Sequence, residues 1–128
     1  MGDESEKKTI LLVDDDNFFQ NFATGMMSEK YNVVAAKSGK EALVLLFKNK
    51  PDLILLDIIM PEMDGWETFH KIRGISLLDQ VPIAFLTSMK DEKGLEHAKE
   101  LGASDYFTKP LDRQDFMSRI EKILSGKK

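Results

Sequence analysis

The apolar residues of this chain fall into two alternating kinds of run. Short continuous runs stand at Thr9–Val13 (TILLV), Tyr31–Ala36 (YNVVAA), Leu53–Leu56, Ile83–Leu86 and Asp105–Thr108. Each is too short for a helix and each predicts a strand, with TILLV buried on both faces and Leu53–Leu56 the most hydrophobic. Between them, apolar residues recur at helical spacing. Asp16–Lys30 carries Phe18, Phe19, Phe22, Met26 and Met27, which read as a packing stripe. Ser38-Gly39-Lys40-Glu41 is a capping box opening a helix with Leu43, Leu46 and Phe47. The turn-like Met60–Gly65 leads to a helix bearing Trp66, Phe69 and Ile72, which Gly74 stops. Leu95, Ala98 and Leu101 mark a fourth helix with Gly102 past its end, and Asp112 caps a fifth carrying Phe116, Ile120, Ile123 and Leu124.

Five strands alternating with five helices predict an α/β fold, a parallel sheet covered on both faces. Residues 1–8 read as a disordered tail and residues 9–125 as one domain, and 128 residues suit a single domain. No repeat, low-complexity segment or linker interrupts it.

This alternation says where chemistry belongs. In open parallel sheets the ligand crevice lies outside the carboxyl ends of the strands. The first strand ends at Asp14-Asp15 with Asp16 following, the third at Asp57, the fourth at Thr87-Ser88 and the fifth at Lys109. Adjacent strands would bring two or three carboxylates, a hydroxyl and an ammonium to one crevice. Carboxylates ~4 Å apart repel by about 4 kcal/mol per pair at an effective dielectric near 20, so the cluster must take up a proton or a cation. Oxygen ligands alone favour a hydrated Mg²⁺. The same groups suit phosphoryl transfer: a metal and a lysine neutralise phosphoryl oxygens, a hydroxyl donates to one, and a carboxylate acts as nucleophile. Asp57 is the best placed acid, single and at the end of the most apolar strand.

Composition narrows the choices further. With no cysteine, disulfides, thiolate metal sites and thiol nucleophiles are excluded, and the chain is compatible with a reducing cytosol. A cytoplasmic location is expected. His70 and His97 are the only histidines, too few for a His-rich zinc site; both are expected to face solvent. The net charge of -4 argues against direct nucleic-acid binding. MGDESEKK at the start has no apolar core, so it is no signal peptide, and Leu53–Met60 is too short to span a membrane.

Singly, these residues have simpler readings. Asp14-Asp15-Asp16 serves as a helix N-cap cluster in many proteins, and Asp16 has that role available here. Asp57 alone could be a turn residue, Thr87 a strand-end hydroxyl and Lys109 a solvated loop lysine. Their occurrence at successive strand ends is what sets those readings aside.

LLVDDD at Leu11–Asp16, LILLDIIMPEMDG at Leu53–Gly65, FLTS at Phe85–Ser88 and DYFTKP at Asp105–Pro110 closely resemble the four signatures of response-regulator receiver domains. The resemblance runs over about residues 8–125. It implies a single-domain (βα)5 flavodoxin-like, doubly wound sheet of strand order 2-1-3-4-5. It implies that Asp57 is the phosphoacceptor and that Mg²⁺ is held by Asp15 and Asp57 directly, by Asp14 through water and by the carbonyl of Ile59. Thr87 and Lys109 would bind the phosphoryl oxygens, and Thr87 and Tyr106 would form the switch. The implied activity is signalling with self-catalysed phosphotransfer and autodephosphorylation rather than enzymatic turnover. Implied partners are a histidine kinase or phosphotransfer protein upstream, and downstream an effector protein or an effector domain outside this chain, with no nucleic acid or membrane bound directly. Ile59 and Met89, at positions that flank the path of a hydrolytic water in the family, predict a long-lived phosphoryl group.

Three other readings compete. An aspartate-nucleophile phosphatase of the haloacid-dehalogenase type would use Asp14-x-Asp16, but Phe18 stands where such enzymes carry Thr or Val. A flavodoxin-like electron carrier would need a Ser/Thr/Gly-rich loop after the first strand. A receiver-shaped module that no longer takes phosphate would have lost key polar positions, and all five are filled.

Overall fold

A computed structural model describes residues 7–88 and 92–126. Five strands, β1 (Thr9–Val13), β2 (Asn32–Ala36), β3 (Leu53–Asp57), β4 (Ile83–Thr87) and β5 (Asp105–Thr108), form one parallel sheet in the order β2-β1-β3-β4-β5. Five helices connect them: α1 (Asn17–Met27), α2 (Gly39–Lys48), α3 (Gly65–Arg73), α4 (Glu92–Glu100) and α5 (Arg113–Leu124). The expected fold class and strand order are what the chain adopts. Most of the expected tail at 1–8 lies outside the described residues.

Side-chain alternation along the strands divides the core in two. Leu11, Val13, Ile54, Leu56, Ile83 and Phe85 face the layer made by α2, α3 and α4. Ile10, Leu12, Leu53, Leu55, Leu86 and Phe107 face α1 and α5. β3 and β4 are buried at all five positions, as central strands of a doubly covered sheet must be. β2 lies at the edge, and Val34 and Ala35 are exposed there.

The helices start where their caps predict. Asp16 accepts from the amides of Phe18 and Phe19, Ser38 from that of Glu41, Asp64 from Glu67 and Asp112 from Asp115. Glu41 in turn accepts from the Lys37 amide at 2.7 Å, one residue ahead of the cap amide that a capping box would use. Past the end of α4, Gly102 takes φ +82°, the left-handed turn for which a glycine is favoured.

Several expectations need correction. α1 spans Asn17–Met27 rather than Asp16–Lys30, because Asp16 is its cap and Ser28 ends it. Its buried face is Phe19, Gln20, Ala23, Met26 and Met27, whereas Phe18 is 79% exposed and Phe22 also faces water. Phe47 of α2 is 80% exposed, since Ala42 and Leu46 occupy the inner side. β3 and β4 each run one residue further than the apolar run, so Asp57 and Thr87 are the last residues of their strands. A 3₁₀ turn at Ser76–Leu78 was not foreseen.

Candidate functional site: the acidic crevice at the strand ends

The parallel register places the polar residues side by side. Val13 pairs with Leu56, so Asp14 comes level with Asp57; Asp57 pairs with Leu86, and Thr87 with Thr108. Lys109 follows directly, and its amide donates to the Thr87 carbonyl at 2.8 Å. Alternation turns Asp57 toward the α1 and α5 side, with Leu53 and Leu55, while Thr87 follows Ile83 and Phe85 toward α3 and α4.

Asp14, Asp15 and Asp57 bring carboxylate oxygens within 4.8 Å of one another. Asp14 and Asp57 are buried and Asp15 faces solvent. The Lys109 ammonium lies 2.7 Å from Asp14 Oδ2 and 3.8 Å from Asp57 Oδ2. Burial pushes the Asp57 carboxyl up to about 7, with the negative Asp14 and Asp15 adding to the rise; the Lys109 cation and the Ile59 amide act against it. A buried acid with a raised pKa among like charges makes this crevice the candidate functional site. Oxygen donors only, at this spacing, fit a hard divalent cation.

Each expected site residue has a place in this arrangement. Asp14, Asp15, Asp57 and Lys109 converge. Thr87 is fully buried at the end of β4. Ile59 stands just past β3, 54% exposed, on the loop that Met60–Gly65 continues. Tyr106 pairs in register with Phe85 and packs half-buried against the α2–α4 core layer. Met89 lies outside the described residues. Asp16 caps α1, which accounts for it without the phosphatase motif.

Three supporting residues were not foreseen. The buried Gln20 donates from its amide to the carbonyls of Asp14 and Ala36, both at 2.8 Å, tying the ends of β1 and β2 together. Its signal was available: it lies on the inward face of α1, where a polar residue must find buried partners. Gly65 lies directly beneath the Asp57 backbone; a β-carbon there would collide with the Asp57 carbonyl and come within 2.7 Å of Ile58 Cα. Phe19 places its ring 4.2 Å from the Lys109 ammonium. No linear motif announces that pair.

On β5, Arg119 of α5 spans three consecutive residues. Its guanidinium pairs with the Asp105 carboxylate, donates to the Tyr106 carbonyl at 3.2 Å and stacks over the Phe107 ring at 4.4 Å. Asp105 in turn accepts from the Tyr106 amide at 2.8 Å.

The family model for the response regulator receiver domain matches residues 10–121. The chain belongs to that family. The receiver is 37% identical over 124 residues to histidine kinase P4 of Formosa agariphila, covering 97% of this chain and 9% of that protein. It is 35% identical over 120 residues to the transcriptional regulatory protein CrdR of Helicobacter pylori, covering 94% of this chain and 56% of that one. The receiver thus spans a tenth to a little over half of these relatives. A two-component response regulator from Clostridium difficile superposes with a TM-score of 0.86 at 31% identity, over 93% of this chain and 97% of that chain. The receiver is therefore a signalling domain of two-component systems. Among the described residues no helix is long and apolar enough to cross a membrane.

Proposed function

We propose that Asp57 accepts a phosphoryl group from a phosphohistidine donor, either a histidine kinase or a phosphotransfer protein, and that the modified receiver signals to an effector protein or effector domain. The observation that carries this reading is Lys109: its ammonium sits between Asp14 and Asp57, 2.7 and 3.8 Å away, at the open end of the sheet. An Asp57 oxygen forms the bond to phosphorus as the phosphorus–nitrogen bond breaks and the imidazole leaves. Lys109 exchanges carboxylate oxygen for phosphoryl oxygen, and the Thr87 hydroxyl donates to another.

The three carboxylates suit Mg²⁺, for which we assign Asp15 and Asp57 as direct ligands, Asp14 through water and the Ile59 carbonyl as the remaining protein donor. Bound there, Mg²⁺ supplies positive charge that screens the phosphoryl oxygens from Asp57. Drawing Thr87 toward the phosphoryl group frees space beside β5 for the Tyr106 ring, biasing the face of α4, β5 and α5. Autodephosphorylation reverses the state when water attacks the same phosphorus and the bond to the Asp57 oxygen breaks, releasing inorganic phosphate and restoring the carboxylate.

The test is incubation with acetyl phosphate and Mg²⁺ followed by mass spectrometry of intact protein. One phosphoryl group per chain is expected on the unsubstituted protein and none on Asp57→Asn. Equal labelling of both overturns the assignment.

A further inference from the structure

Lys109 must face the phosphoryl oxygens, yet its ammonium is carried on a flexible four-carbon stem with several rotatable bonds. Something has to hold it. In the resting geometry Asp14 does so at 2.7 Å. That hold is conditional, because any cation bound among the carboxylates competes with Lys109 for the same oxygens. Asp57, at 3.8 Å, is a carboxylate of the same cluster and is subject to the same competition.

The Phe19 ring is a partner of another kind. Its centroid lies 4.2 Å from Lys109 Nζ, inside the roughly 6 Å range over which a ring face attracts a cation. A hard divalent cation prefers oxygen, so it does not compete for the ring. Phe19 is itself fixed, 7% exposed in the layer of Ala23, Met26, Phe107 and Phe116. It sits in the first turn of α1, three residues past the cap at Asp16, whose carboxylate accepts from the Phe19 amide, so the turn that carries Asp14 and Asp15 also sets the ring. Lys109 is only part-buried, which weakens the attraction by partial solvation without abolishing it.

We propose that Phe19 is a positioning residue for phosphoryl transfer: its ring face holds the Lys109 ammonium over the Asp57 carboxylate when the carboxylates are engaged by a cation. This rests on the reading of Asp57 as phosphoacceptor. A ring that serves only as core filler would be indifferent to its own electrostatics, and that difference is measurable.

The experiment replaces Phe19 with mono-, di- and trifluorinated phenylalanine, which are nearly the same shape but carry a progressively weaker negative face. Phosphorylation by acetyl phosphate is timed in Mg²⁺, beside urea unfolding of each protein. The expected result is a stepwise fall in rate with each fluorine, reaching about 2- to 30-fold, the range of a cation–π contact. Phe19→Trp should keep the rate, Phe19→Leu should lose it, and unfolding midpoints should not follow the fluorine series. In a Lys109→Met background the slower residual rate should not depend on fluorination. A rate flat across the series in the unsubstituted background, or a fall that persists without Lys109, overturns the proposal. Absence of labelling in the unsubstituted protein would instead reject Asp57 as acceptor, so the two failures are distinguishable.

Discussion

The His97 ring stands edge-on to the Trp66 indole, centroids 4.5 Å apart, and joins α4 to α3. Trp66 also tilts against Phe85 at 4.8 Å, so the single tryptophan touches both β4 and, through His97, the helix that borders Tyr106. Its emission should therefore change when a phosphoryl analogue and Mg²⁺ are added, and the change should vanish in Asp57→Asn. In His97→Leu the resting emission should already be altered, while phosphorylation proceeds at an unchanged rate. An emission indifferent to the analogue would show that α4 keeps its place against α3.

Without a divalent cation, Asp57 should make stability depend on pH. Its carboxyl is pushed up to about 7 in the fold against 3.8 for the free group. The folded state thus binds the proton more tightly, and the stability this represents is complete below about pH 4. It is lost as pH rises through 7. Three pKa units correspond to about 4 kcal/mol as an upper bound. In chelator, Asp57→Asn should match the unsubstituted protein near pH 4 and exceed it near pH 8, by urea unfolding at the two pH values. Mg²⁺ should narrow the gap at pH 8, since under the proposed assignment it would bind only the folded carboxylate cluster.

Gly65→Ala should be costly far beyond its size. The new methyl group meets the carbonyl of Asp57 and the Cα of Ile58, both backbone and both at the end of a fully buried strand. Overpacking of this kind costs about 1–3 kcal/mol. Relief requires β3 to shift, so Mg²⁺ affinity should fall together with stability. Calorimetric titration with Mg²⁺ and urea unfolding of the same variant check the pairing; full affinity in a destabilised variant would show that the strand end holds its position.

Ile59→Asn should shorten the phosphoryl lifetime. Ile59 is 54% exposed beside the crevice and has no polar atom with which to hold a water in line with the phosphorus bond. A positioned group is worth up to ~10²-fold in rate where geometry is demanding. Decay of phosphorylated protein in Mg²⁺ buffer, followed by mass spectrometry, should be several-fold faster in the variant. Equal decay would remove Ile59 from control of hydrolysis.

The crevice was legible because its members announce themselves one strand at a time. An acid after an apolar run, as at Asp14 and Asp57, is visible without any knowledge of neighbours, and the α/β alternation says that such ends meet. What escaped depends on tertiary distance or on the side of a helix. Phe18, Phe22 and Phe47 fit a helical stripe as well as Phe19 and Leu46 do, and only the sheet beneath decides which of them it covers. Phe19 and Lys109 are ninety residues apart in sequence; their contact exists because β1 and β5 flank the same crevice from the α1 side. Ser76–Leu78 is a single turn, too short for any period to show.

Arg119 gives the output face a mechanical character. One planar group gripping Asp105, Tyr106 and Phe107 makes β5 and α5 a single lever rather than two elements in contact. Were the proposed rearrangement to begin at the Tyr106 backbone, this grip would carry it into the twelve-residue α5 as tilt rather than as fraying between strand and helix. Under the proposed signalling role, a partner docking on this face would sense the attitude of a rod, while α4, held to α3 through His97 and Trp66, supplies its fixed border.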